Sequence, residues 1–266
     1  MSELDQLFAA HRAAGRKAFL PFVTAGDPDL DTTAEVLRAL ARCGASVAEV
    51  GVPYSDPIAD GPVIQASYQR ALDSGFRLPQ VFDLANSLRG QFAMPLITMT
   101  SYSIIHRTGM NRYVELAQAA GYCGTIVPDL LVEEAQPLAD VCRAADFSLI
   151  QLVTPTTPRE RQIRIAELSS GFLYFVSVTG ITGERHQMPP GLLENVAWLR
   201  EQTPLPVCVG FGISTPETAR TLGRIADGVI VGSALVRRIA EAESRAAAVE
   251  SVTRFASDLI AALAEK

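Results

Sequence analysis

The chain has 266 residues, of which 48% are hydrophobic and 20% are charged, and its formal net charge is −6. These values are typical of a globular protein with a substantial core, and the acidic balance argues against a nucleic-acid partner. The N-terminus lacks the basic start and apolar core of a signal peptide, and no run is long enough to span a bilayer. We therefore expect a cytoplasmic protein without a membrane segment.

The reactive side chains argue against several kinds of catalysis. The four cysteines form no CxxC pair and the three histidines show no metal-ligand spacing, so we expect reduced packing cysteines and no metal site. The only lysines are Lys17, before the first predicted strand, and Lys266 at the C-terminus. Neither follows a core strand, so the chain offers almost no candidate for a Schiff base or for covalently bound pyridoxal phosphate.

Short apolar runs alternate with segments of helical period along the whole chain. The predicted strands are 19–24, 47–52, 96–100, 125–127, 149–153, 173–178, 207–209 and 228–231. The predicted helices between them include 32–42, 111–119, 158–168 and 216–222. This alternation predicts the α/β class and a single (β/α)8 TIM barrel over residues 1–266, with a doubly wound parallel sheet as the alternative.

Two further helices are predicted outside this repeat. One, over residues 4–14, precedes the first strand, and an inserted helix, over 62–72, follows the second strand and comes before a helix at 78–88. The second βα connection is therefore unusually long. Because barrels of this class build their active sites from loops at the carboxyl ends of the strands, we expect this connection to carry function.

Glu49 is a carboxylate inside the apolar run 46–52. A charge in a buried strand is costly unless it is paired or takes part in chemistry, and burial would raise its pKa toward the range used in proton transfer. Glu49 shares a strand face with Val47 and Gly51, so it would stand near the barrel mouth if that face points inward. The alternatives are a glutamate satisfied by hydrogen bonds and a strand face that meets water.

Asp60 is a second carboxylate, eleven residues further on, at the end of the loop after this strand. One interpretation is a second acid of the same active site. The other is a helix start, since Asp60 is followed by Gly61 and Pro62, and aspartate near a cap with proline in the first turn is a common arrangement. The spacing favours neither interpretation.

Glycine-bearing turns follow the last three predicted strands, at residues 177–183, 210–214 and 232–234. Backbone N–H groups that converge after strands seven and eight, at a helix N-terminus, are the usual phosphate site of such barrels. The alternative is three tight turns that require positive φ, which explains each turn but not their shared position. The pieces lack the full dinucleotide fingerprint, so no nicotinamide or flavin site is expected.

The segment EVGVPYSDPIADGP at 49–62 resembles the most specific signature of the tryptophan synthase α-subunit family. Supporting matches are PFVTAGDP at 21–28, GITG at 180–183, GFGIS at 210–214 and VGSA at 231–234, so the resemblance covers essentially the whole chain. It implies a carbon–carbon lyase of tryptophan biosynthesis that splits indole-3-glycerol phosphate into indole and glyceraldehyde 3-phosphate by a retro-aldol reaction. It also implies that this subunit needs no metal or organic cofactor.

By this resemblance, Glu49 is the general acid/base that protonates indole C3 and takes the proton from the glycerol hydroxyl. Asp60 would hold the indole N–H and stabilise the charge that develops on the ring. The resemblance also implies a substrate-binding set. It consists of the phosphate cradle Gly183, Gly212, Gly232 and Ser233 with Gly210 beside it, the apolar walls Phe22, Ile64, Tyr174 and Phe211, and the lid residue Thr182.

The family further implies an α2β2 heterotetramer, in which a pyridoxal phosphate-dependent β subunit receives indole through a tunnel. Asp56 and its loop neighbours are expected to face that partner, and the cofactor is expected only there. The chain departs from the family at Ser101 and Ser103, where an aromatic ring and an amide are usual, and at Leu131, where a proline is frequent. Val178 stands where an arginine is often found.

Three alternatives to the channelled enzyme stay open at this point. The first is a stand-alone indole-3-glycerol phosphate lyase that releases indole. The second is a catalytically weak activator of a β subunit, and the third is another phosphosugar lyase or isomerase. The shortage of lysine and of metal ligands argues against the third, as does the match at 49–62.

Overall fold

The computed structural model describes residues 2–176, 191–210 and 212–265. In these ranges nine strands form one sheet, in the order β5-β4-β3-β2-β1-β9-β8-β7-β6, and every neighbouring pair is parallel. The strands are β1 (Ala18–Thr24), β2 (Ala48–Gly51), β3 (Leu96–Met99), β4 (Tyr122–Ile126), β5 (Ser148–Ile150), β6 (Leu152–Val153), β7 (Leu173–Val176), β8 (Val207–Gly210) and β9 (Gly228–Val231).

The two end strands of this order follow each other in the chain, with Gln151 alone between them. β5 pairs with β4 and β6 pairs with β7. Together they therefore act as one barrel strand, which brings the sheet round into a nearly closed barrel. The predicted (β/α)8 barrel is confirmed, and the doubly wound sheet is wrong, because an open sheet of that kind would leave two separate edge strands.

The helices of the described ranges surround the sheet. They are α1 (Glu3–Ala13), α2 (Leu30–Cys43), α3 (Pro62–Asp73), α4 (Pro79–Leu88), α5 (Tyr102–Thr108), α6 (Met110–Ala120), α7 (Gln136–Ala144), α8 (Arg159–Leu168), α9 (Leu192–Gln202), α10 (Pro216–Ile225), α11 (Ser233–Ala240) and α12 (Arg245–Ala264). The predicted N-terminal and inserted helices correspond to α1 and α3. None of the helices described here has the length and apolar character needed to cross a membrane.

The strands are buried on both faces, as expected for a parallel barrel covered by helices. In β1, Leu20 and Phe22 belong to a cluster inside the barrel, while Phe19 and Val23 belong to a larger cluster between the sheet and the helices. The same alternation runs through the other strands, so position along a strand decides which core a side chain enters.

Helix α1 closes the end of the barrel where the strands begin. Its Leu4 and Phe8 are fully buried in the inner cluster, and the ring of Phe8 lies 5.6 Å from that of Phe172, which immediately precedes β7. Ser2 and Asp5 cap the helix with reciprocal hydrogen bonds, which fixes where it starts. The barrel is therefore filled from this end, and an internal cavity can open only toward the carboxyl ends of the strands.

Candidate active site

Glu49 lies on β2 and points into the barrel. Its strand neighbours Ala48 and Val50 pack against the helices, whereas Val47 packs inside. In the sheet, Glu49 is in register with Phe22 of β1 and Ile97 of β3. Its side chain is completely buried, and neither carboxyl oxygen has a hydrogen-bond partner among the described residues. Among the described residues the glutamate is therefore neither hydrogen-bonded nor exposed to water, which favours neither alternative.

Burial without a partner decides the protonation state of Glu49. Removing the carboxylate from water raises its pKa well above the ordinary range. The group therefore holds its proton at neutral pH, because an isolated ionised carboxylate is very unfavourable in such surroundings. A protonated acid inside an apolar site can deliver a proton to a substrate that binds beside it.

Asp60 is not the cap of helix α3. The N-cap is Gly61, followed by Pro62 in the first turn, and no side chain makes a capping hydrogen bond there. The backbone of Asp60 is held instead, because its N–H donates to the Pro57 carbonyl at 3.0 Å and its carbonyl accepts from Gln65 Nε2 at 2.8 Å. The side chain is thereby free to turn toward the barrel.

The Asp60 carboxyl lies in a mostly apolar environment at the barrel mouth. It is 6% exposed, and burial raises its pKa to about 7. Its Oδ2 atom has no hydrogen-bond partner in the described part of the chain. At neutral pH the group is thus divided between its charged and neutral forms, and it is available to a ligand that offers an N–H.

A cavity at the carboxyl ends of the strands brings together residues of five strands, of the loops that follow β2, β8 and β9, and of helices α3 and α11. It is lined by Phe22, Asp60, Ile64, Met99, Tyr174, Val176, Gly210, Gly212, Ile213, Ile230, Gly232, Ser233 and Ala234. Every described residue of the expected substrate-binding set lines it. Thr182, Gly183, Phe211 and Val178 lie outside the described residues. Glu49 is fully buried on the inner face of the barrel, level with the lining residue Phe22, and is not itself among the lining residues.

Sequence reasoning missed several apolar lining residues. Met99 and Ile230 belong to the inner cluster, so the alternation along their strands could have assigned them to the barrel interior. Val176 lies two residues after Tyr174 on β7, so the same alternation could have assigned it as well, whereas Ile213 lies in the loop after β8 and carries no comparable signal.

Tyr174 reaches across the cavity because Gly210 leaves room for it. A Cβ atom on Gly210 would lie 2.4 Å from Cε2 and 2.6 Å from the hydroxyl of Tyr174, so any side chain there would displace the Tyr174 ring. Burial raises the pKa of the Tyr174 phenol well above its usual range, and the charges of Glu49 and Asp60 raise it further. The phenol therefore keeps its proton, and it lies near enough to both carboxyl groups to respond to their charge.

The opposite end of the cavity is a helix N-terminus. Gly232 is the N-cap of α11. Its φ angle is −110°, so a positive-φ turn is not the reason for a glycine at this position. The first helical hydrogen bonds run from Leu235 and Val236 to the Gly232 carbonyl, which leaves the N–H groups of Ser233 and Ala234 directed out of the helix. Backbone donors and the helix dipole together favour an anion at this position.

Ser101 and Ser103, the two residues after the third strand that depart from the family pattern, take part in a local network of hydrogen bonds. Ser101 caps α5 and donates from Oγ to Asp129 Oδ2 at 2.6 Å, while the Tyr102 N–H donates to Asp129 Oδ1 at 2.7 Å. Ser103 is within 2.8 Å of the Ser101 hydroxyl. The serine side chains are thus committed to the loop, and in this region Met99 rather than Ser101 lines the cavity.

Two exposed apolar side chains stand near the same face of the barrel. Ile58, in the loop that carries Asp56, is 85% exposed, and Leu131, after β4, is 58% exposed. Asp56 accepts a hydrogen bond from Ser55 Oγ at 2.6 Å. Ile58 lies in the loop after β2 and Leu131 in the segment after β4, so both are on the face of the barrel that carries the cavity.

The comparisons with known proteins agree with one another. The family model described as "Tryptophan synthase alpha chain" matches residues 8–264. A tryptophan synthase alpha chain of Rhodopirellula baltica is 63% identical over 249 residues, covering 92% of this chain and 90% of that protein. One from Synechococcus sp. (strain CC9902) is 48% identical over 251 residues, covering 94% and 93%.

Solved structures give the same result at lower identity. Tryptophan synthase subunit alpha of Legionella pneumophila superposes with a TM-score of 0.90 at 34% identity, covering 99% of this chain and 98% of that one. A chain of Mycobacterium tuberculosis tryptophan synthase gives 0.89 at 32% identity, covering 100% and 99%. The chain therefore belongs to the tryptophan synthase alpha chain family.

Proposed function

We propose that this chain catalyses the α reaction of tryptophan synthase, the retro-aldol cleavage of indole-3-glycerol phosphate to indole and glyceraldehyde 3-phosphate. Family membership makes it a carbon–carbon lyase of tryptophan biosynthesis. The observation that carries the assignment of the site is the buried, unpartnered Glu49, with Asp60 and a helix N-terminus at the same barrel mouth. Such an arrangement suits a substrate with a basic carbon, an N–H and a phosphate.

Glu49 is the acid and then the base of this reaction. Its proton adds to indole C3, which places positive charge on the ring, and the resulting carboxylate then takes the proton of the neighbouring glycerol hydroxyl. The electron pair of the broken O–H bond forms the aldehyde C=O. At the same time the bond between C3 and the glycerol carbon breaks, and the electron pair of that bond neutralises the positive charge on the ring. Atoms and charge balance without a metal or an organic cofactor in this subunit.

Asp60 acts on the other side of the ring. An ionised Asp60 accepts a hydrogen bond from the indole N–H and offsets the positive charge that follows protonation at C3. Because its pKa is about 7 in the free protein, the bound N–H and the developing charge both shift it toward the ionised form. The two acids thus have different roles, since one is kept neutral and the other becomes charged.

The remaining cavity residues orient the substrate. Phe22, Ile64 and Tyr174 provide apolar surface for the indole ring, and the turn Gly232–Ser233 with Gly212 provides backbone donors for the phosphate. Binding energy from the phosphate end would then hold C3 against the carboxyl group, as expected where remote contacts support a chemical step.

We further propose that a β subunit binds over the barrel mouth to give an α2β2 assembly that channels indole. The pyridoxal phosphate of such an assembly would belong to the β subunit. The exposed Ile58 and Leu131, with Asp56 in the same loop as Ile58, support a partner on this face. The cleavage rate of a stand-alone lyase would not change when the β subunit is added. A weak activator of the β subunit would show almost no cleavage with or without it.

The test is an indole-release assay on the purified chain, with and without a stoichiometric β subunit. We expect cleavage that increases when the β subunit is added. Glu49→Gln should abolish cleavage but keep binding of a glycerol phosphate analogue, because the amide cannot transfer the proton yet leaves the phosphate site intact. Glu115→Gln, on the exposed surface of α6, is the matched control. Full activity in Glu49→Gln would refute the proton-transfer role.

A further inference from the structure

Tyr68 is a buried tyrosine that the mechanism above leaves without a function. It lies on α3 one turn after the cavity residue Ile64, it is 1% exposed, and it belongs to the cluster inside the barrel. Its hydroxyl has no hydrogen-bond partner among the described residues. A buried hydroxyl without a partner is unfavourable, so its presence inside the barrel requires an explanation.

The hydroxyl lies over Gly51, next to Glu49 along β2. A Cβ atom on Gly51 would be 2.8 Å from the Tyr68 hydroxyl and 2.4 Å from Cζ of Phe22. Glu49 and Gly51 are two residues apart on one strand face, a separation of roughly 7 Å, which the length of a glutamate side chain readily spans. Phe22 is the cross-strand neighbour of Glu49. Gly51 thus leaves the space in which the phenol approaches the glutamate.

The phenol is surrounded by acidic groups. Burial raises its pKa well above the usual range, and the charges of Asp60, Tyr54 and Glu49 raise it further. The ring of Tyr54, from the loop before α3, packs on Tyr68 with 5.4 Å between ring centres. Tyr68 therefore keeps its proton at neutral pH, and its O–H is available as a hydrogen-bond donor to an ionised carboxylate beside it.

In the described part of the chain, no donor reaches Glu49. The other described groups whose pKa responds to its charge are Tyr174 of β7, which is partly buried, and Cys208 of β8, which is fully buried, and desolvation raises the pKa of both. Asp60 lines the cavity and is accessible there to a substrate N–H, whereas Glu49 is not among the lining residues and both of its oxygens are unpartnered among the described residues. While Glu49 is protonated it needs no donor, but once it has given up its proton the carboxylate does.

We propose that Tyr68 is a positioning residue, whose hydroxyl donates a hydrogen bond to the Glu49 carboxylate after that group has protonated the substrate. The inference rests on the proposed function and extends it. A donor to the charged form stabilises the ionised stage of the reaction and holds the carboxylate in place for the second proton transfer. A hydrogen bond between the Tyr68 hydroxyl and the Glu49 carboxylate would explain why each of these buried groups lacks a partner in the free protein.

The test is Tyr68→Phe, which removes one oxygen atom, in the full chain with its β subunit. Hydrogen bonds to charged groups contribute about 1.5–3 kcal/mol, so we expect kcat for indole release to fall about tenfold to a hundredfold, with KM changed less than about twofold. The alkaline limb of the pH–rate profile should move to higher pH, because Glu49 ionises less readily without its donor. Stability to urea should rise rather than fall, since the buried hydroxyl that is removed has no partner and disfavours folding.

Tyr113→Phe is the matched control. Tyr113 is also fully buried, but its hydroxyl bonds to Thr98 at 2.9 Å and its ring packs in the outer cluster. That variant should lose stability and keep the wild-type pH profile. As a measurement independent of turnover, the infrared carboxyl band of Glu49 should titrate at higher pH in Tyr68→Phe than in the wild-type protein.

The outcomes separate this inference from the proposed function. An active wild-type enzyme with an unchanged kcat and pH profile in Tyr68→Phe would overturn the role of Tyr68 alone. A raised KM with normal kcat would also overturn it, because the hydroxyl would then be a substrate contact. If the wild-type complex releases no indole from indole-3-glycerol phosphate, the proposed function fails and the inference fails with it.

Discussion

Asp60→Asn should make the free protein more stable at neutral pH while it impairs the reaction. The carboxyl has a pKa of about 7 in the folded chain against an ordinary value of 3.8. Each pH unit between these values corresponds to about 1.4 kcal/mol, so ionisation of Asp60 costs the folded state roughly 4 kcal/mol. Asparagine has nearly the same shape and no charge to bury, so this cost is absent in the variant.

The sign of the effect follows from proton binding. Between about pH 4 and pH 7 the folded protein holds a proton on Asp60 that the unfolded chain has lost, so the free energy of unfolding of the wild type falls as the pH rises. Below this range both forms of residue 60 are neutral and the two proteins should be about equally stable. Above it Asp60→Asn should be the more stable by up to about 4 kcal/mol.

The assay is urea unfolding of both proteins from pH 4 to pH 8, with the difference between their free energies of unfolding plotted against pH. Contributions of Glu49 and of the surface carboxylates cancel in this difference. Indole release by the variant should fall by at least about tenfold, because asparagine cannot offset charge on the ring. A difference that does not change with pH would show that burial does not set the pKa of Asp60.

Three further variants test other parts of the molecule. Gly210→Ala should raise KM about tenfold in the indole-release assay, because its Cβ displaces Tyr174 and overpacking costs about 1–3 kcal/mol. Asp227→Asn should destabilise the protein by about 3 kcal/mol at pH 7, as measured by urea unfolding. Burial raises the pKa of Asp227, but hydrogen bonds from the Val207 N–H and from Arg12 outweigh burial and hold this pKa below its ordinary value. The loss of stability should therefore shrink as the pH falls below about 4, where the wild-type carboxylate becomes protonated. Ile58→Asp should abolish the increase in rate on addition of the β subunit, whereas Leu193→Asp, another exposed apolar position, should not.

Much of the barrel was predictable because its strands carry a local signal. Apolar runs and helical segments alternate eight times, and the β-branched content marked every strand to within a few residues. The largest error is the start of β4, which begins at Tyr122 rather than at Thr125. Gly124 carries little strand preference and is extended because it pairs with both β3 and β5, while Cys123 stands at the register shift opposite Leu96 and Ile97.

The two carboxylates were predictable to different degrees. Glu49 stood out because a charge interrupts an apolar strand, and that contrast is visible in a few adjacent residues. The role of Asp60 was ambiguous because the sequence Asp60-Gly61-Pro62 also fits the start of a helix with Asp60 as its cap. Only the backbone conformation shows that Gly61 is the N-cap. The roles of Asp60 and of the other site residues stay predictions until activity is measured.

Tyr68 could not be found from the sequence. As one aromatic residue on an amphipathic helix it is typical of an ordinary core position. Its relation to Glu49 depends on the absence of a side chain at Gly51 and on the way α3 leans over the barrel mouth. Such a relation joins residues from different elements, and no local pattern reports it.

The unpartnered groups at the barrel mouth have a common physical consequence. Glu49, Asp60 and Tyr68 each contain a buried polar atom without a hydrogen-bond partner in the described structure, and each such atom disfavours folding by about 1–3 kcal/mol. The opposite end of the barrel is filled by apolar side chains, since Leu4, Phe8 and Phe172 are fully buried there. A fold stabilised at its base can keep unsatisfied groups at its mouth, where a substrate with an N–H and a developing charge supplies the missing partners. Hydrogen bonds between the substrate and these groups would then favour binding and catalysis, at the expense of the stability of the protein without substrate.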